Sequence, residues 1–355
     1  MRLLVVCPSW VGDAVMATPA LRRLRSELPG AYIGALVRPG IDHVLDGLDL
    51  FDEVHTIRSQ GFMGPKRAAA GVRGRGYDTA LLLTNSFSTA LSVRMALIGR
   101  RVGYDRDGRG VLLTDRLTAP KTDKGWAVVP AVSYYWFAAG AVLGNDRRAL
   151  EAPPLHELER VETGLPPGVV MELGCTDRDQ AEGSATLASA DVTTEYAILN
   201  PGGNNPAKRW PAERFCEIGK KLSEERGWRV LVNGAPAEID LCTQIAAGIP
   251  KGVALQEHGH TLRGLKHVVC GAKLMVTNDT GPRHFAVAAG VPTVSLFGPT
   301  DPRWTTVPTS APEAIVVADP TLDPRDVSND HPERCAIERV TIDCVAEAIG
   351  TAVEI

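Results

Sequence analysis

Residues 274–297 read LMVTNDTGPRHFAVAAGVPTVSLF, a pattern typical of a strand, a helix and a second strand. Leu274–Thr277 and Thr293–Phe297 are short runs of β-branched and aliphatic side chains, as in buried strands. Between them the sequence predicts a helix at 283–289, because Pro282 is well suited to a first helical turn. Strands joined by a helix of this length pair in parallel through a right-handed crossover. The stretch therefore predicts a parallel α/β sheet.

The same alternation of strands and helices runs through both halves of the chain. In the first half we expect strands at Leu3–Cys7, Tyr32–Val37, Glu53–Ile57 and Thr79–Leu83, and a helix at 14–28. In the second half we expect further strands at Ala197–Asn200 and Val230–Asn233, and helices at 212–226, 262–271 and 341–353. The predicted fold class is α/β, with two doubly wound Rossmann-like domains that face a cleft.

The segment 174–194 separates the two halves. It is poor in large apolar side chains and rich in Ser, Thr, Ala and Asp, which is typical of a flexible connector. The expected organisation is an N-terminal domain at 1–170, a polar linker at 171–195, a C-terminal domain at 196–340 and a closing helix at 341–355.

The composition is that of an ordinary soluble globular protein. The chain has 355 residues, 44% of them hydrophobic, and 38 Lys and Arg against 42 Asp and Glu give a net charge of −4. The longest apolar run, Tyr134–Leu143, is too short to span a membrane, and the amino terminus resembles a first strand rather than a secretory signal. Seven cysteines without a C-x-x-C pair predict reduced thiols in a cytoplasmic protein.

Positive charge is concentrated in the first half. Residues 1–148 carry 20 basic and 13 acidic side chains, and residues 149–355 carry 18 and 29. Within 58–109 the count is 10 basic to 3 acidic. This segment is either a solvated basic face or a site for a polyanion such as a phosphorylated sugar or an anionic lipid head group. Nucleic acid is the least favoured partner, because the segment has few aromatic residues and no nucleic-acid fold signature.

The first strand is followed by CPSWVGD, with a single glycine before Asp13. The missing G-x-G-x-x-G argues against a nicotinamide or flavin dehydrogenase. Asp13 is interpreted either as the N-cap of the next helix or as a carboxylate at a strand end that accepts a proton as a general base.

The strand at 197–200 is followed by PGGNNPAKRWP. Gly202 and Gly203 would let the backbone approach an anion, and Lys208 and Arg209 would supply positive charge. The alternative is a pair of exposed cations at a helix start, which the helix dipole disfavours unless an anion lies between them.

The strand at 274–277 is followed by Asp279, Thr280 and Gly281, and His284 falls in the first turn of the next helix. The backbone amides of this turn could bind an anion, so the sequence predicts an anion site here. The alternative is an ordinary helix with Asp279 or Thr280 as its N-cap. Glu238, just after another strand, could accept hydrogen bonds from ribose hydroxyls or simply face solvent. No metal-binding motif is evident, and we expect neither a metal nor a cofactor.

Together these segments resemble glycosyltransferase family 9, and among its members the heptosyltransferases of the second type. The matching strings are PSWVGDAVMATPAL (8–21), TNSFSTAL (84–91), PGGNNPAKRWP (201–211), NGAPAE (233–238) and TNDTGPRHFAVAAGVPTVSLFGPTDPRWT (277–305), with a weaker HPERCAIERVT (331–341). The resemblance implies a GT-B fold and an inverting, metal-independent transfer. It places the acceptor in the first domain and the nucleotide sugar in the second.

The resemblance also implies roles for individual residues. Asp13 is similar to the catalytic base and Lys208 to the lysine that neutralises the departing diphosphate. The implied donor-binding residues are Gly202, Gly203, Arg209, Glu238, Asp279, Thr280, Gly281 and His284, and the implied acceptor-binding residues are Trp10, Asn85 and Ser86. The chain departs from many relatives at SYYWFAAG near residue 134 and in having only Cys335 beside His331 near its C-terminus.

The implied function is heptose transfer from ADP-heptose to heptosyl-Kdo-lipid A, an anionic glycolipid acceptor in lipopolysaccharide core synthesis. The enzyme would be cytoplasmic and in peripheral contact with the inner face of the inner membrane. One alternative is a nucleotide-sugar epimerase of the same fold, which would need a second acid–base group that does not stand out here. The others are a family 9 transferase with a different donor or acceptor, and a non-catalytic sugar or nucleotide binding module.

Overall fold

The computed structural model describes residues 1–58, 61–122, 125–144 and 163–353. These residues form two compact units. Unit 1 comprises Met1–Glu172 with Arg303–Pro308, and unit 2 comprises Leu173–Pro302 with Thr309–Ile355. Residues 59–60, 123–124 and 145–162 of the expected first domain, and 354–355 of the expected closing helix, lie outside the described residues.

Unit 1 is built on a parallel six-stranded sheet in the order β3-β2-β1-β4-β5-β6. Its strands are β1 (Arg2–Val6), β2 (Tyr32–Val37), β3 (Glu53–Thr56), β4 (Thr79–Leu82), β5 (Arg100–Tyr104) and β6 (Asp115–Leu117). The central strand β1 pairs with β2 on one side and β4 on the other. Its residues Leu3, Leu4 and Val5 are completely buried, because helices cover both faces of the sheet.

The helices of unit 1 are α1 (Val11–Met16), α2 (Thr18–Glu27), α3 (Ile41–Leu45), α4 (Gly64–Val72), α5 (Phe87–Met95) and α6 (Ala131–Leu143). The apolar run Tyr134–Leu143 noted in the sequence lies in α6, which packs on α2. A small antiparallel pair, β7 (Lys121–Thr122) and β8 (Gly125–Trp126), precedes α6.

Unit 2 repeats the design with the order β11-β10-β9-β12-β13-β14. Its strands are β9 (Tyr196–Asn200), β10 (Arg229–Val232), β11 (Gly252–Ala254), β12 (Leu274–Asn278), β13 (Thr293–Phe297) and β14 (Glu313–Val317), and its helices are α7 (Asp177–Ser189), α8 (Ala212–Arg226), α9 (Ile239–Ala247), α10 (Leu262–Cys270), α11 (Gly281–Ala288) and α12 (Ile342–Val353). Leu199 and Val276 of the central strands and Phe215 of α8 belong to one apolar core.

The expectation of a flexible connector at 174–194 is corrected by α7, which spans Asp177–Ser189 within the predicted polar linker at 171–195. Thr176 and Asp179 form a capping box at its start, which satisfies two amide groups of the first turn. Asp179 is fully buried, and its carboxylate lies 2.6 Å from Nζ of the fully buried Lys266 on α10. A side chain at Gly183 would meet the carbonyl oxygen of Gly264 at 2.7 Å. The small and polar residues of this segment therefore serve close packing between α7 and α10.

Among the described residues, no helix combines the length and the apolar content that are needed to cross a lipid bilayer.

Candidate functional site

The expected site residues lie where the strand order of each sheet reverses. In unit 1 the chain moves outward from β1 through β2 to β3 and then returns to β4 beside β1. In unit 2 it moves from β9 to β11 and returns to β12 beside β9. Such reversals leave a crevice at the carboxyl ends of the strands, which is where parallel α/β sheets bind ligands.

The crevice of unit 1 forms a pocket of about 250 Å³. Its walls include Asp13 after β1, Asn85 after β4, and Arg106, Tyr134, Tyr135 and Trp304. Asp13 is the single carboxylate on this wall among the described residues. The pocket therefore combines one acidic group, one cation and several aromatic surfaces, a lining suited to a polar ligand such as a sugar.

Asp13 occupies the third position of α1 and not its N-cap, which is Trp10. The alternative interpretation of Asp13 as a capping residue is therefore wrong. The hydroxyl of Tyr135 donates a hydrogen bond to Oδ1 of Asp13 at 2.9 Å. Burial and the neighbouring Asp13 raise the pKa of Tyr135 well above 10, so this hydroxyl remains a donor. The hydroxyl of Tyr135 thus helps to orient the carboxylate, which lines the pocket.

Asn85 is held by a buried arginine. Nη2 of Arg109 donates to Oδ1 of Asn85 at 3.0 Å, and its other nitrogens donate to the backbone carbonyls of Tyr104 and Thr84. Burial lowers the pKa of Arg109 to about 10, which leaves it cationic at neutral pH. Because its amide oxygen is engaged, Asn85 is fixed in orientation on the pocket wall.

The remaining two acceptor candidates do not line this pocket. Trp10 is 61% exposed at the start of α1. Ser86 is exposed and caps α5, where its hydroxyl accepts a hydrogen bond from the amide of Thr89 at 3.2 Å. The structure thus gives Ser86 a capping role in the helix that follows β4.

Arg106 also lines this pocket. Its guanidinium lies 4.1 Å from the ring centre of Trp126, and Nε of Arg106 is buried without a hydrogen-bond partner among the described residues. Tyr134 stacks on Tyr104 with ring centres 3.6 Å apart. Sequence reasoning did not select Arg106, because the chain around it showed only a general excess of basic residues.

In unit 2 the loop after β9 is fastened by Asn278, the last residue of β12. Its Nδ2 donates to the carbonyl of Pro201 at 2.7 Å, and its Oδ1 accepts from the amide of Trp210 at 3.2 Å. Trp210 is buried in the core below. Both ends of the loop are therefore anchored, and the glycines and cations between them have a defined position.

Lys208 and Asp279 are in direct contact. Nζ of Lys208 donates to Oδ2 of Asp279 at 2.7 Å, and Nη1 of Arg283 lies 3.7 Å from the other carboxylate oxygen. Burial opposes the ionisation of Asp279, but Lys208 and Arg283 together hold its pKa below the ordinary value of 3.8. The carboxylate is therefore ionised at neutral pH between two cations.

Arg283 is a site residue that the sequence did not reveal. It is fully buried, and its guanidinium lies 2.6 Å from the carboxylate of Glu313, a residue of β14. The hydroxyl of Ser295 donates to the same carboxylate oxygen at 2.6 Å. A buried strand residue such as Glu313 has no local sequence signal that points to a partner thirty positions earlier.

His284 is 3% exposed beside these charges. Burial and the adjacent Arg283 lower its pKa to about 3. Its Nδ1 has no hydrogen-bond partner among the described residues. His284 is therefore a neutral imidazole, and it can contribute a hydrogen bond to a ligand but not a positive charge.

Thr280 is the N-cap of α11, and its side chain does not cap the helix amides. Its hydroxyl instead accepts a hydrogen bond from Nδ2 of Asn200 at 2.8 Å, and Oδ1 of Asn200 accepts one from Asn233 at 2.6 Å. A chain of buried amides thus crosses the ends of β10, β9 and β12. It holds Thr280 and Gly281 at the amino terminus of α11, where the backbone favours anions.

Glu238 is engaged with the glycine loop. Its carboxylate accepts hydrogen bonds from the amides of Gly203 and Ala235, both at 2.8 Å, and lies 3.5 Å from Nη2 of Arg209. A side chain at Gly202 would collide with this carboxylate. Glu238 therefore shapes the loop, and any side chain at 202 would displace its carboxylate.

The charges of the unit 2 site are balanced. Lys208, Arg209 and Arg283 each contact a carboxylate, supplied by Asp279, Glu238 and Glu313. Within the described part of the chain, no group of three His, Cys, Asp or Glu side chains is arranged to hold a metal ion. An anionic ligand would share these cations with their carboxylates.

The chain as a whole resembles known proteins. The profile of glycosyltransferase family 9 (heptosyltransferase) matches residues 66–335. Lipopolysaccharide heptosyltransferase 2 of Escherichia coli K12 is 28% identical over 319 residues, which cover 86% of this chain and 85% of that protein.

Two solved structures share the fold. The E. coli ADP-heptose LPS heptosyltransferase II superposes with a TM-score of 0.74 at 24% identity, covering 100% of this chain and 99% of that one. A family 9 glycosyl transferase from Veillonella parvula superposes with a TM-score of 0.79 at 19% identity, covering 99% and 97%. These likenesses confirm the predicted class of two doubly wound α/β domains, the GT-B fold. Since the family profile spans more than half of the sequence, the chain belongs to glycosyltransferase family 9 and is an enzyme of glycosyl transfer.

Proposed function

We propose that this chain transfers a heptose from ADP-heptose to the inner core of lipopolysaccharide, with heptosyl-Kdo-lipid A as the acceptor. The relatives support the sugar and the donor, since lipopolysaccharide heptosyltransferase 2 is 28% identical and the similar E. coli structure is that of an ADP-heptose enzyme. The placement of Asp13 carries the assignment of chemistry, because its carboxylate is oriented by Tyr135 and reaches a pocket of about 250 Å³.

The proposed reaction is a single displacement. A hydroxyl oxygen of the acceptor attacks the anomeric carbon of the heptose while the bond from that carbon to the diphosphate breaks. The hydroxyl proton passes to Asp13, and the bonding electron pair leaves with ADP. One displacement of this kind inverts the anomeric configuration, and it requires no metal ion where cationic side chains and amides hold the leaving group.

Lys208 is proposed to stabilise the departing diphosphate. Its side chain is 25% exposed and its ammonium group contacts Asp279, from which it can turn toward a phosphate oxygen. The amides of Thr280 and Gly281 at the amino terminus of α11 supply further donors, and the neutral His284 supplies a hydrogen bond. One well-placed donor to a developing charge contributes about 3–4 kcal/mol to catalysis.

Gly202, Gly203, Arg209 and Glu238 are proposed to receive the nucleoside of the donor. Each carboxylate oxygen of Glu238 accepts one hydrogen bond from a backbone amide. Because a carboxylate can accept about four hydrogen bonds, Glu238 can still accept hydrogen bonds from ribose hydroxyls. On the acceptor side, Asn85 and Arg106 are proposed to contact hydroxyl and acidic groups of the core sugars, with Trp10 and Ser86 at greater distance from the pocket. We place the enzyme on the cytoplasmic face of the inner membrane, where a lipid-borne acceptor is found.

A donor screen tests the identity of the substrates. The chain, treated with EDTA, is incubated with ADP-, GDP- or UDP-sugars and heptosyl-Kdo-lipid A, and products are analysed by mass spectrometry. We expect one added heptose with ADP-heptose alone, and NMR of the new linkage should show the anomeric configuration opposite to that of the donor. Loss of activity on metal removal, retention of configuration, or epimerisation of free donor without an acceptor would each contradict the proposal.

An Asp13→Asn variant tests the role of the base. The amide keeps the shape of the carboxylate but cannot accept the proton, so kcat should fall roughly 10²- to 10⁴-fold. The affinity for ADP, measured by calorimetry, should be unchanged. Asp49→Asn, an exposed carboxylate of the same unit, is the matched control and should retain full activity. Intact transfer by Asp13→Asn would exclude this residue as the base.

A further inference from the structure

The loop before α4 exposes a large aromatic side chain. Phe62 is 98% exposed and the adjacent Met63 is 42% exposed. Isolated exposed apolar side chains are common on protein surfaces, but an aromatic residue with almost no contact to its own protein is costly in water. The charged residues near Phe62 and Met63 in the sequence are all basic.

Residues 54–77 carry five basic side chains and no acidic one. Arg75 is paired with Glu53, and Arg73 donates to the carbonyl of Met95. The other three are exposed, and in the described ranges of the chain they form no ion pair: Arg58, Lys66 and Arg67. Lys66 and Arg67 lie in the first turn of α4, shortly after Phe62 and Met63. These cations are therefore available to an external anionic surface.

We propose that this cationic tip, formed by Arg58, Phe62, Met63, Lys66 and Arg67, docks the enzyme on an anionic phospholipid bilayer. Phe62 would enter the boundary between head groups and acyl chains, where aromatic side chains are favoured. The three cations would lie at the level of the lipid phosphates. Each cation near an anionic membrane surface strengthens partitioning about fivefold, so three contribute roughly a hundredfold. The docking rests on the proposed function, because it brings the enzyme to a lipid-borne acceptor.

Charge complementarity favours a bilayer over a second copy of this chain. In a symmetric contact the same cations would face each other, and like charges at short range repel. An aromatic tip surrounded by cations matches the layered chemistry of a membrane, with phosphates outside and hydrocarbon beneath. Anionic phospholipid is therefore the expected partner.

The test is co-sedimentation of the full chain with vesicles, without donor or acceptor. Vesicles of phosphatidylcholine alone are compared with vesicles that also contain phosphatidylglycerol, at low and high salt. We expect binding only to the anionic vesicles, with a strong decrease at high salt. Phe62→Ser should weaken binding about ten- to a hundredfold, and Phe62→Trp should retain it. Lys66→Glu/Arg67→Glu should abolish it.

Matched variants separate the tip from general effects. Val111→Ser removes another apolar side chain that is 77% exposed in the same unit, and Lys220→Glu/Lys221→Glu reverses two exposed charges on α8. Both should bind vesicles as the unmodified chain does. Unchanged binding by Phe62→Ser, equal binding to neutral vesicles, or binding that appears only when the acceptor glycolipid is added would overturn the docking.

Activity assays distinguish this inference from the proposed function. Phe62→Ser should transfer heptose normally to a deacylated, water-soluble acceptor and more slowly to an acceptor embedded in anionic vesicles. Absence of transfer by the unmodified chain on both acceptors would refute the proposed function and leave the vesicle-binding result standing. Equal rates of Phe62→Ser and the unmodified chain on the embedded acceptor would count against the docking alone.

Discussion

Replacing Arg283 by methionine removes a cation from the interior of unit 2. The guanidinium is fully buried, lies 2.6 Å from Glu313, and is also 3.7 Å from Asp279. Methionine fills similar space but carries no charge. The variant therefore leaves Glu313, whose side chain is 6% exposed, as a buried carboxylate without its counter-ion.

Removal of one partner from a buried ion pair costs about 3–5 kcal/mol of folding free energy. The lower end applies here, because Glu313 retains the hydrogen bond from Ser295 at 2.6 Å. We expect about 3 kcal/mol. The double variant Arg283→Met/Glu313→Gln should recover most of that loss, since replacing both members of a buried pair is often close to neutral.

Urea unfolding, followed by circular dichroism, measures these free energies. The control is Arg325→Met, which breaks an ion pair with Asp323. The side chain of Arg325 is 70% exposed, so its loss should change the free energy of unfolding far less than the loss of Arg283. A cost for Arg283→Met no larger than that of the control would refute the reasoning. So would a double variant whose destabilisation equals the sum of the two single ones.

The same substitution has a kinetic consequence. Burial raises the pKa of Asp279, and Lys208 and Arg283 counteract it. Without Arg283, the carboxylate of Asp279 takes up a proton at higher pH. Once it is protonated, Asp279 no longer forms an ion pair with Lys208. The acid limb of the kcat/KM profile should therefore move to higher pH. An unchanged profile would show that Arg283 acts on stability alone.

Three further predictions concern single side chains. Tyr135→Phe removes the hydrogen bond that holds the proposed base, so kcat should fall about tenfold and the acid limb of the kcat profile should move to higher pH, as measured by steady-state rates. Burial lowers the pKa of His284 from 6.5 to about 3, so the free energy of unfolding should fall by about 1.4 kcal/mol per pH unit as the pH drops from 6.5 toward 3. Urea unfolding at several pH values should show that His284→Asn reduces the slope of this free energy against pH by the equivalent of one proton. Gly202→Ala should displace Glu238 and raise the donor KM about tenfold, whereas Gly30→Ala, which has open space, should not.

The strands were predictable where they are buried on both faces. The expected strand at Leu274–Thr277 and the observed β12 differ by one residue, because a continuous apolar run allows few alternatives. Strands of other composition escaped prediction. β5 begins with two arginines, β11 has three residues, and β14 is only partly buried. These elements depend on pairing with a neighbour, which local sequence does not contain.

The helix α7 is a regular element that the local sequence did not predict. Its sequence has weak apolar periodicity and a glycine in its interior, so it resembles a connector. Its stability comes from the capping box at Thr176 and from the buried contact of Asp179 with Lys266, 87 positions later in the chain. Tertiary contacts of this kind override local propensity.

Within the candidate site, the position of a residue after a strand was predictable, but its partners were not. Asp13 and Asp279 follow central strands in the sequence, and a parallel sheet places such residues at one edge. The contacts of Arg109 with Asn85, and of Glu238 with the amide of Gly203, join residues 24 and 35 positions apart. Such pairs depend on loop conformations that residue types alone do not specify.

The pairing of Asp279 with two cations explains how Lys208 can be released to a ligand. If Lys208 were the only counter-ion, its movement toward a diphosphate would leave a carboxylate that is 7% exposed without compensation, at a cost of several kcal/mol. Arg283 lies on the other oxygen and is itself anchored by Glu313, so it remains in place when Lys208 moves. In the proposed reaction, donor binding would exchange the ion pair of Lys208 with Asp279 for one with the diphosphate, while Arg283 still compensates Asp279. We therefore infer that the buried pair of Arg283 and Glu313 supports the proposed role of Lys208 as a mobile cation.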